Sequence, residues 1–128
     1  MASFTVGPFV KTLVFTPDGR PVLVVAAGAN RVDEGRLGEL AGGPIRRADP
    51  ATVKAATGYT IGGVPPIGLA SPLAVYVDRD LLAYDLVYAA AGLPECVFPI
   101  APPELVRATG GKVVDIKEAG SDPRGEAA

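Results

Sequence analysis

Short apolar runs, separated by glycine, proline and charged residues, make up most of the chain. Phe9 to Thr16 and Pro21 to Ala27 are rich in β-branched and aromatic side chains. The segment between them, Thr16 to Arg20, contains Pro-Asp-Gly, in which proline fixes φ and glycine accepts a positive φ. The two runs therefore predict a β-hairpin joined by a tight turn.

Four later apolar runs predict further short strands. They are Pro72 to Val77, Leu86 to Ala90, Cys96 to Ile100 and Val113 to Ile116. Regular alternation of strands with helices is missing, so an ordinary parallel α/β sheet is not expected. The pattern predicts an α+β fold in which short helices wrap a compact, mostly antiparallel or mixed barrel-like sheet.

The helices are predicted from their capping residues. Asp33 can cap a helix over Glu34 to Leu40, and Asp49 and Gly58 can bound a second one. A third begins at Pro102 and runs through Ala108. Polar residues dominate from Lys117 onward, so we expect one domain over residues 1–117 and a frayed tail over residues 118–128.

The composition narrows the possible function. With 48% apolar and 20% charged residues the chain has an ordinary globular profile, and its net charge of −2 argues against bulk binding of nucleic acid. It contains no histidine and one cysteine, which excludes an intrachain disulfide and a structural zinc site. No metal and no cofactor are expected. Cys96 lies in an apolar run and is predicted to be a buried structural thiol.

Membrane and export signals are lacking in the sequence. No apolar run reaches the roughly 18–20 residues that cross a bilayer. The first residues, Met-Ala-Ser-Phe, lack the basic and apolar regions of a signal peptide. We therefore expect a cytoplasmic protein that does not bind membranes.

Lys11 interrupts an apolar strand. Alternation places it on one face with Phe9, Leu13 and Phe15, and the opposite face is apolar as well. Two explanations stand side by side. Either the side chain snorkels out at a sheet edge, or it points into a cavity that holds an anion or a polar ligand.

The loop from Gly62 to Gly68 combines three glycines with Pro65 and Pro66. Adjacent glycines allow close approach of a ligand to the backbone, and rigid backbone N–H groups can stabilise an oxyanion. The alternative is a tight structural turn at a corner of the barrel. The spacing does not match a phosphate-binding P-loop.

Conventional catalytic groups are not evident elsewhere. The three serines have no histidine partner, so any catalysis would borrow its reactive group from water or substrate. Asp78-Arg79-Asp80 suggests a metal site, but such a cluster after a strand is usually a solvated turn, which is the prediction adopted.

Several segments, in order, resemble the YbaK-like aminoacyl-tRNA deacylases, relatives of the editing domain inserted in bacterial prolyl-tRNA synthetases. The resemblance extends over about residues 9–117, with Gly62 and Pro66 at the two fixed positions of the G-x-x-x-P loop of that family. The matching segments are Val10 to Phe15, Gly28 to Asp33, Thr57 to Tyr59, Gly62 to Gly68, Ala90 to Gly92 and Pro102 to Gly111.

This resemblance implies a trans-editing enzyme that hydrolyses mischarged tRNA, often tRNA for proline, with water activated by the substrate itself. It implies that Lys11 holds the 3′-terminal nucleotide and that the loop contacts the aminoacyl carbonyl. The implied catalytic residues are Lys11, Gly62 and Gly63. The implied substrate-binding residues are Asn30, Arg31, Tyr59, Val64, Pro66, Gly68 and Gly92.

The implied partners are the mischarged aminoacyl-tRNA 3′ end and prolyl-tRNA synthetase. Two features depart from the family. Ten residues precede Lys11 where members carry a few tens, so one wall of the pocket is expected to be missing or rebuilt. Val97 stands where some cysteine-specific members carry an acid, which argues against cysteine as the amino acid removed.

Two other functions fit the same residues. One is a catalytically silent tRNA- or synthetase-binding module of the same fold. The other is a nucleotide or small-ester hydrolase, which would not need Arg31, Arg46 or Arg47 near the rim of the pocket.

Overall fold

A computed structural model describes residues 6–16, 20–28, 30–61, 63–69, 73–93 and 95–118. The strands are β1 Val6–Phe15, β2 Val22–Ala27, β3 Ala74–Asp78, β4 Leu86–Ala90, β5 Val97–Ile100 and β6 Lys112–Val114. The helices are α1 Glu34–Ala41, α2 Pro50–Thr57 and α3 Pro102–Thr109, with a 3-10 helix over Arg79–Ala83.

The strands form one mixed sheet in the order β5-β4-β1-β2-β3-β6. The β1–β2 and β4–β5 pairs are antiparallel, and the other three pairs are parallel. The predicted α+β fold and the hairpin are confirmed, although residues 17–19 of the predicted turn lie outside the described part. The sheet is open rather than barrel-like, because β5 and β6 are its two ends and do not pair with each other.

β2 lies at the centre of the core and is buried on both faces. Leu23 and Val25 pack on one face with Val53 of α2 and Leu105 of α3, and Val24 packs on the other face with Leu37 of α1. A strand covered on both sides must be apolar throughout, which explains its continuous apolar sequence.

The predicted helix ends are confirmed. The Asp33 side chain accepts a hydrogen bond from Arg36 N (3.1 Å), and the Asp49 side chain accepts one from Thr52 N (2.7 Å). Gly58 ends α2 with φ of 86°, a left-handed conformation that glycine adopts without strain. Among the residues described, no helix is long and apolar enough to cross a membrane.

Cys96 departs from its prediction as a buried thiol, because it is exposed. It precedes β5, which ends the sheet, and belongs to the connection from β4. There its N–H donates to the Leu93 carbonyl (3.1 Å) and its carbonyl accepts from Ala91 N (2.8 Å). An apolar run is buried on both faces only in an inner strand, and the sequence did not reveal that this one lies at an edge.

Candidate active site

A cavity of about 540 Å³ lies beside β1. Six consecutive residues of that strand, Phe9 to Val14, line it. Because successive side chains of a strand point to opposite faces, a cavity on one face alone would meet every second residue. The cavity therefore runs along the edge of β1. Its other lining residues are Arg47, Ala48, Val53, Ile61, Val64, Ala90, Glu95 and Val97.

The backbone of Thr12 faces this cavity. The carbonyl of Phe9 accepts from Gly28 N on the β2 side, whereas the carbonyl of Val14 accepts from Ala48 N on the other side (both 2.9 Å). Backbone N–H and C=O groups of alternate residues point to the same side of a strand. The backbone of Thr12 therefore points away from β2, as that of Val14 does. The strand edge thus presents a peptide N–H and C=O to a ligand.

Lys11 is half-buried and lines the cavity. Leu13 and Phe15 pack in the cluster with α1, and Val10 and Val14 in the other, which confirms the predicted alternation. The ammonium of Lys11 donates a hydrogen bond to the carbonyl of Asn30. An ammonium has three donors, so this contact leaves two for a ligand.

Burial lowers the pKa of Lys11 below its ordinary value, because desolvation disfavours the charged form. The neighbouring cations Arg47 and Arg31 lower this pKa further, and the carboxylate of Asp78 raises it. Lys11 and its neighbours Arg47 and Arg31 are suited to bind a negatively charged group, since an anion would relieve the repulsion among the three cations.

Asn30 lies behind Lys11 and is almost fully buried (1% exposed). Its side-chain N–H groups donate to Asp78 Oδ2 (2.8 Å) and Asp80 Oδ2 (3.0 Å). Asp78 also accepts from Ala27 N (3.2 Å) and Asp80 N (3.0 Å). Lys117 pairs with Asp80 at 3.0 Å. Although burial opposes it, hydrogen bonds from Asn30 and Lys117 hold the pKa of Asp80 below its usual value.

One sequence expectation is corrected by this network. The predicted solvated turn at Asp78 is wrong, because Asp78 is 2% exposed and takes up backbone and side-chain N–H groups from the end of β2. Lys117, the last residue of the predicted domain, forms a β-bridge with Val32 and an ion pair with Asp80. Among the described residues, no group of three or more acidic or cysteine side chains is arranged to hold a metal ion.

The glycine-proline loop meets the cavity through Ile61 and Val64. Gly63 and Pro66 are buried behind this wall, whereas Gly62 lies outside the described residues. The Tyr59 hydroxyl donates to the Gly68 carbonyl (3.4 Å) and so closes the loop. Much of the loop is thus a packed frame.

The backbones of Gly63 and Gly92 are in close contact. A methyl group on Gly63 would sit 2.9 Å from the carbonyl oxygen of Gly92 and 3.1 Å from Leu93 Cα. Gly92 has φ of 104°, and a methyl group there would lie 3.2 Å from the Tyr59 ring. These two glycines are required by close backbone approach, independently of any ligand.

Replacement of Gly63 by alanine should therefore destabilise the fold by about 1–3 kcal/mol, the usual cost of overpacking. Thermal unfolding measures this change. Gly35→Ala is the comparison, because Gly35 is exposed in α1, where alanine favours the helix, and the added methyl group would meet only the Asp33 side chain, at 3.3 Å, among the described residues. A Gly63→Ala variant as stable as the parent would show that the two backbones separate freely.

The structure brings together only part of the predicted site. Lys11 and Val64 line the cavity. Asn30 supports Lys11, and Arg31 is exposed beside it. Sequence analysis gave no site role to Glu95 and Ala90, which line the cavity. It named Arg47 only as a residue near the rim and took Asp78 for a solvated turn, whereas Arg47 lines the cavity and Asp78 lies behind Asn30. No local pattern marks them, because the lining comes from five separate parts of the chain.

Comparison with known proteins gives a consistent result. The family model of the aminoacyl-tRNA editing domain matches residues 1–108. The chain is 35% identical to the Bacillus subtilis protein YwhH over 104 residues, which cover 80% of this chain and 66% of that protein. It is 39% identical to the proline–tRNA ligase of Solidesulfovibrio magneticus over 88 residues, 66% of this chain but 15% of the ligase.

A solved structure is also similar. The crystal structure of a candidate trans-editing enzyme for prolyl-tRNA synthetase superposes with a TM-score of 0.85 and 46% sequence identity. The match covers 88% of this chain and 72% of that one. The chain thus spans about two thirds of the length of YwhH and a small part of the ligase.

Proposed function

Because the chain belongs to the aminoacyl-tRNA editing domain family, we propose that it is a trans-editing deacylase, which hydrolyses the ester of mischarged aminoacyl-tRNA. The observation that carries this proposal is the cationic Lys11 in an otherwise largely apolar cavity. A tRNA end offers a phosphate or ribose group to the cation, and the attached amino acid offers a small body to the apolar walls.

The proposed reaction is attack of water on the ester carbonyl, with the adjacent ribose hydroxyl of the substrate orienting the water. The chain contains no histidine to act as base. Lys11 holds the 3′-terminal nucleotide, and the glycine-proline loop stabilises the oxyanion through a backbone N–H. Val64 is the candidate donor among the described loop residues, because it lines the cavity, whereas Gly63 N–H donates to the Thr60 carbonyl (3.1 Å) and Pro65 and Pro66 have no N–H. The residues that hold or frame the substrate are Asn30, Arg31, Tyr59, Val64, Pro66, Gly68 and Gly92.

The lining also suggests what kind of amino acid is removed. Val53, Ile61 and Val64 give the cavity an apolar wall, which suits an uncharged aliphatic side chain. Glu95 is the one carboxylate among the described lining residues. The free α-ammonium of an aminoacyl ester is repelled by Lys11 and Arg47, so we expect it to turn towards Glu95.

Glu95→Gln should lower kcat/KM for aminoacyl-tRNA by up to about fivefold, the usual upper value of an exposed ion pair. N-acetyl-aminoacyl-tRNA lacks the α-ammonium, and its hydrolysis should be unchanged by the substitution. Glu104→Gln is the control, because Glu104 is exposed on α3 and pairs with Arg107. An equal decrease in kcat/KM with both substrates would show that Glu95 does not bind the α-ammonium.

The deciding experiment is single-turnover hydrolysis over a panel of mischarged tRNAs, beside equilibrium binding of the same tRNAs. The proposed activity predicts hydrolysis of at least one of them, with tRNA for proline the first to test. Prolyl-tRNA synthetase is the proposed partner, and the cytoplasm is the proposed location of both proteins. Addition of the synthetase should not be required for hydrolysis. Binding of charged tRNA without hydrolysis of any would establish a silent binding module instead.

A further inference from the structure

Asp78 does not line the cavity, yet it connects through Asn30 to Lys11, which does. Its carboxylate accepts hydrogen bonds from Ala27 N, Asp80 N and Asn30 Nδ2, and the backbone carbonyl of Asn30 accepts from the Lys11 ammonium. We propose that Asp78 is a positioning residue, which holds Lys11 in its substrate-binding orientation through Asn30. This inference rests on the proposed function and extends it to a residue that touches no substrate.

The hydrogen bond between Asn30 and Asp78 lies in the protein interior. Asn30 and Asp78 are 1% and 2% exposed. A carboxylate removed from water is costly unless it is hydrogen-bonded, and this one receives three N–H groups. The two acidic partners of Asn30 fix its side-chain N–H groups, and its backbone N–H donates to the Ala27 carbonyl (3.0 Å). Together these bonds limit how far the backbone carbonyl that meets Lys11 can turn.

The other half of the Asn30 amide argues against a purely stabilising role. Its Oδ1 is buried and has no hydrogen-bond partner in the described part of the chain. An unsatisfied buried acceptor lowers stability. An apolar residue would avoid this loss, but it would also release the segment that presents the carbonyl to Lys11. Costly polar groups of this kind are concentrated at functional sites.

Electrostatic attraction provides a second link between Asp78 and Lys11. Asp78 raises the pKa of Lys11, in opposition to desolvation and to the cations Arg47 and Arg31. Removal of the negative charge should therefore let Lys11 lose its proton at lower pH. A role of Asp78 confined to packing would leave the Lys11 titration unchanged.

The test is the Asp78→Asn variant of the full chain, alone and combined with Lys11→Ala. We expect Asp78→Asn to lower single-turnover hydrolysis by up to about 100-fold, as a small misplacement can. In the Lys11→Ala background it should lower hydrolysis little further, because the residue through which it acts is gone. Losses that multiply in the double variant would overturn the proposal.

A second measurement does not depend on activity. The chain has four lysines, so Lys11 can be assigned by NMR of ¹³C-labelled lysine and titrated in each variant. The Lys11 midpoint should fall in Asp78→Asn, and an unchanged midpoint would contradict the charge link. If no charged tRNA is hydrolysed by the parent chain, the proposed function fails, while this titration still tests the link between Asp78 and Lys11.

Two further variants complete the design. Asp115→Asn is the matched control, because Asp115 pairs with Arg36 and Arg79 (both 3.2 Å), whereas the described hydrogen bonds of the Asn30 side chain go to Asp78 and Asp80. Its hydrolysis and Lys11 titration should equal those of the parent. Asp80→Asn serves if Asp78→Asn does not fold, because it neutralises one of the two carboxylates that accept from Asn30 and so weakens that hydrogen bond. It should slow hydrolysis when Lys11 is present and not when Lys11 is alanine, and an equal effect in both would refute the proposal.

Discussion

Lys11→Ala should lower both the binding of mischarged tRNA and its hydrolysis, with a loss of about 100-fold in single-turnover rate at subsaturating substrate. The substitution removes the cation that lines the cavity, and an ester held in the wrong position loses the advantage of proximity. Lys112→Ala is the control, because Lys112 is an exposed cation on β6, at one end of the sheet, and leaves the cavity intact.

The pH dependence identifies the charge as the cause. Since the pKa of Lys11 is lowered, its positive charge is complete at low pH and is lost as pH rises through that reduced value. Binding of tRNA by the parent chain should therefore weaken at alkaline pH before ordinary lysines titrate. Lys11→Arg keeps its charge throughout this range and should not show that decline. Equal binding by the parent and Lys11→Ala would exclude Lys11 from the substrate site.

Ala90→Phe should block the cavity while preserving the fold. Ala90 lines the cavity and lies on the same face of β4 as Tyr88, whose ring contacts Phe9 at a centroid distance of 5.9 Å. A phenylalanine ring at this position would enter existing space, so the usual cost of overpacking a core should be largely avoided. We expect at least about a 100-fold loss of hydrolysis, because the aminoacyl group can no longer reach its productive position.

The effect of Ala90→Phe is measured by thermal unfolding and by tRNA hydrolysis. Ala91→Phe is the control, because Ala91 is the exposed next residue and does not line the cavity. Both variants should unfold close to the parent temperature, and only Ala90→Phe should lose activity. If Ala90→Phe hydrolyses its substrate at the parent rate, the reaction takes place elsewhere on the molecule.

Local features of the sequence predicted the six strands and three helices that the described residues form, but not all of their bounds. β1 begins at Val6 rather than Phe9, and β6 spans Lys112–Val114 rather than Val113 to Ile116. Asp33 and Asp49 cap their helices and Gly58 ends one, because a capping bond and a positive φ depend on neighbouring residues only. Alternation also placed Lys11 on the face of Leu13 and Phe15. The family followed from the order of segments along the chain, and the match over residues 1–108 confirms it.

Burial could not be predicted from those local features. Cys96 and Asp78 were assigned to the wrong environments, since the sequence does not reveal which strand ends the sheet or which side chain meets the end of β2. Both depend on strand order, which brings together residues far apart in the chain: Asn30 and Asp78 are separated by 48 positions. The parallel pairing of β2 with β3 creates that contact.

The candidate site itself is divided in the same way. Residue type and spacing identified Lys11 and the glycine-proline loop, because a cation in an apolar strand and adjacent glycines are unusual wherever the chain folds. Glu95 and Ala90 became part of the site only through tertiary structure. Each has an unremarkable sequence context, and the open edge of β1 that gathers them exists only once the sheet has formed.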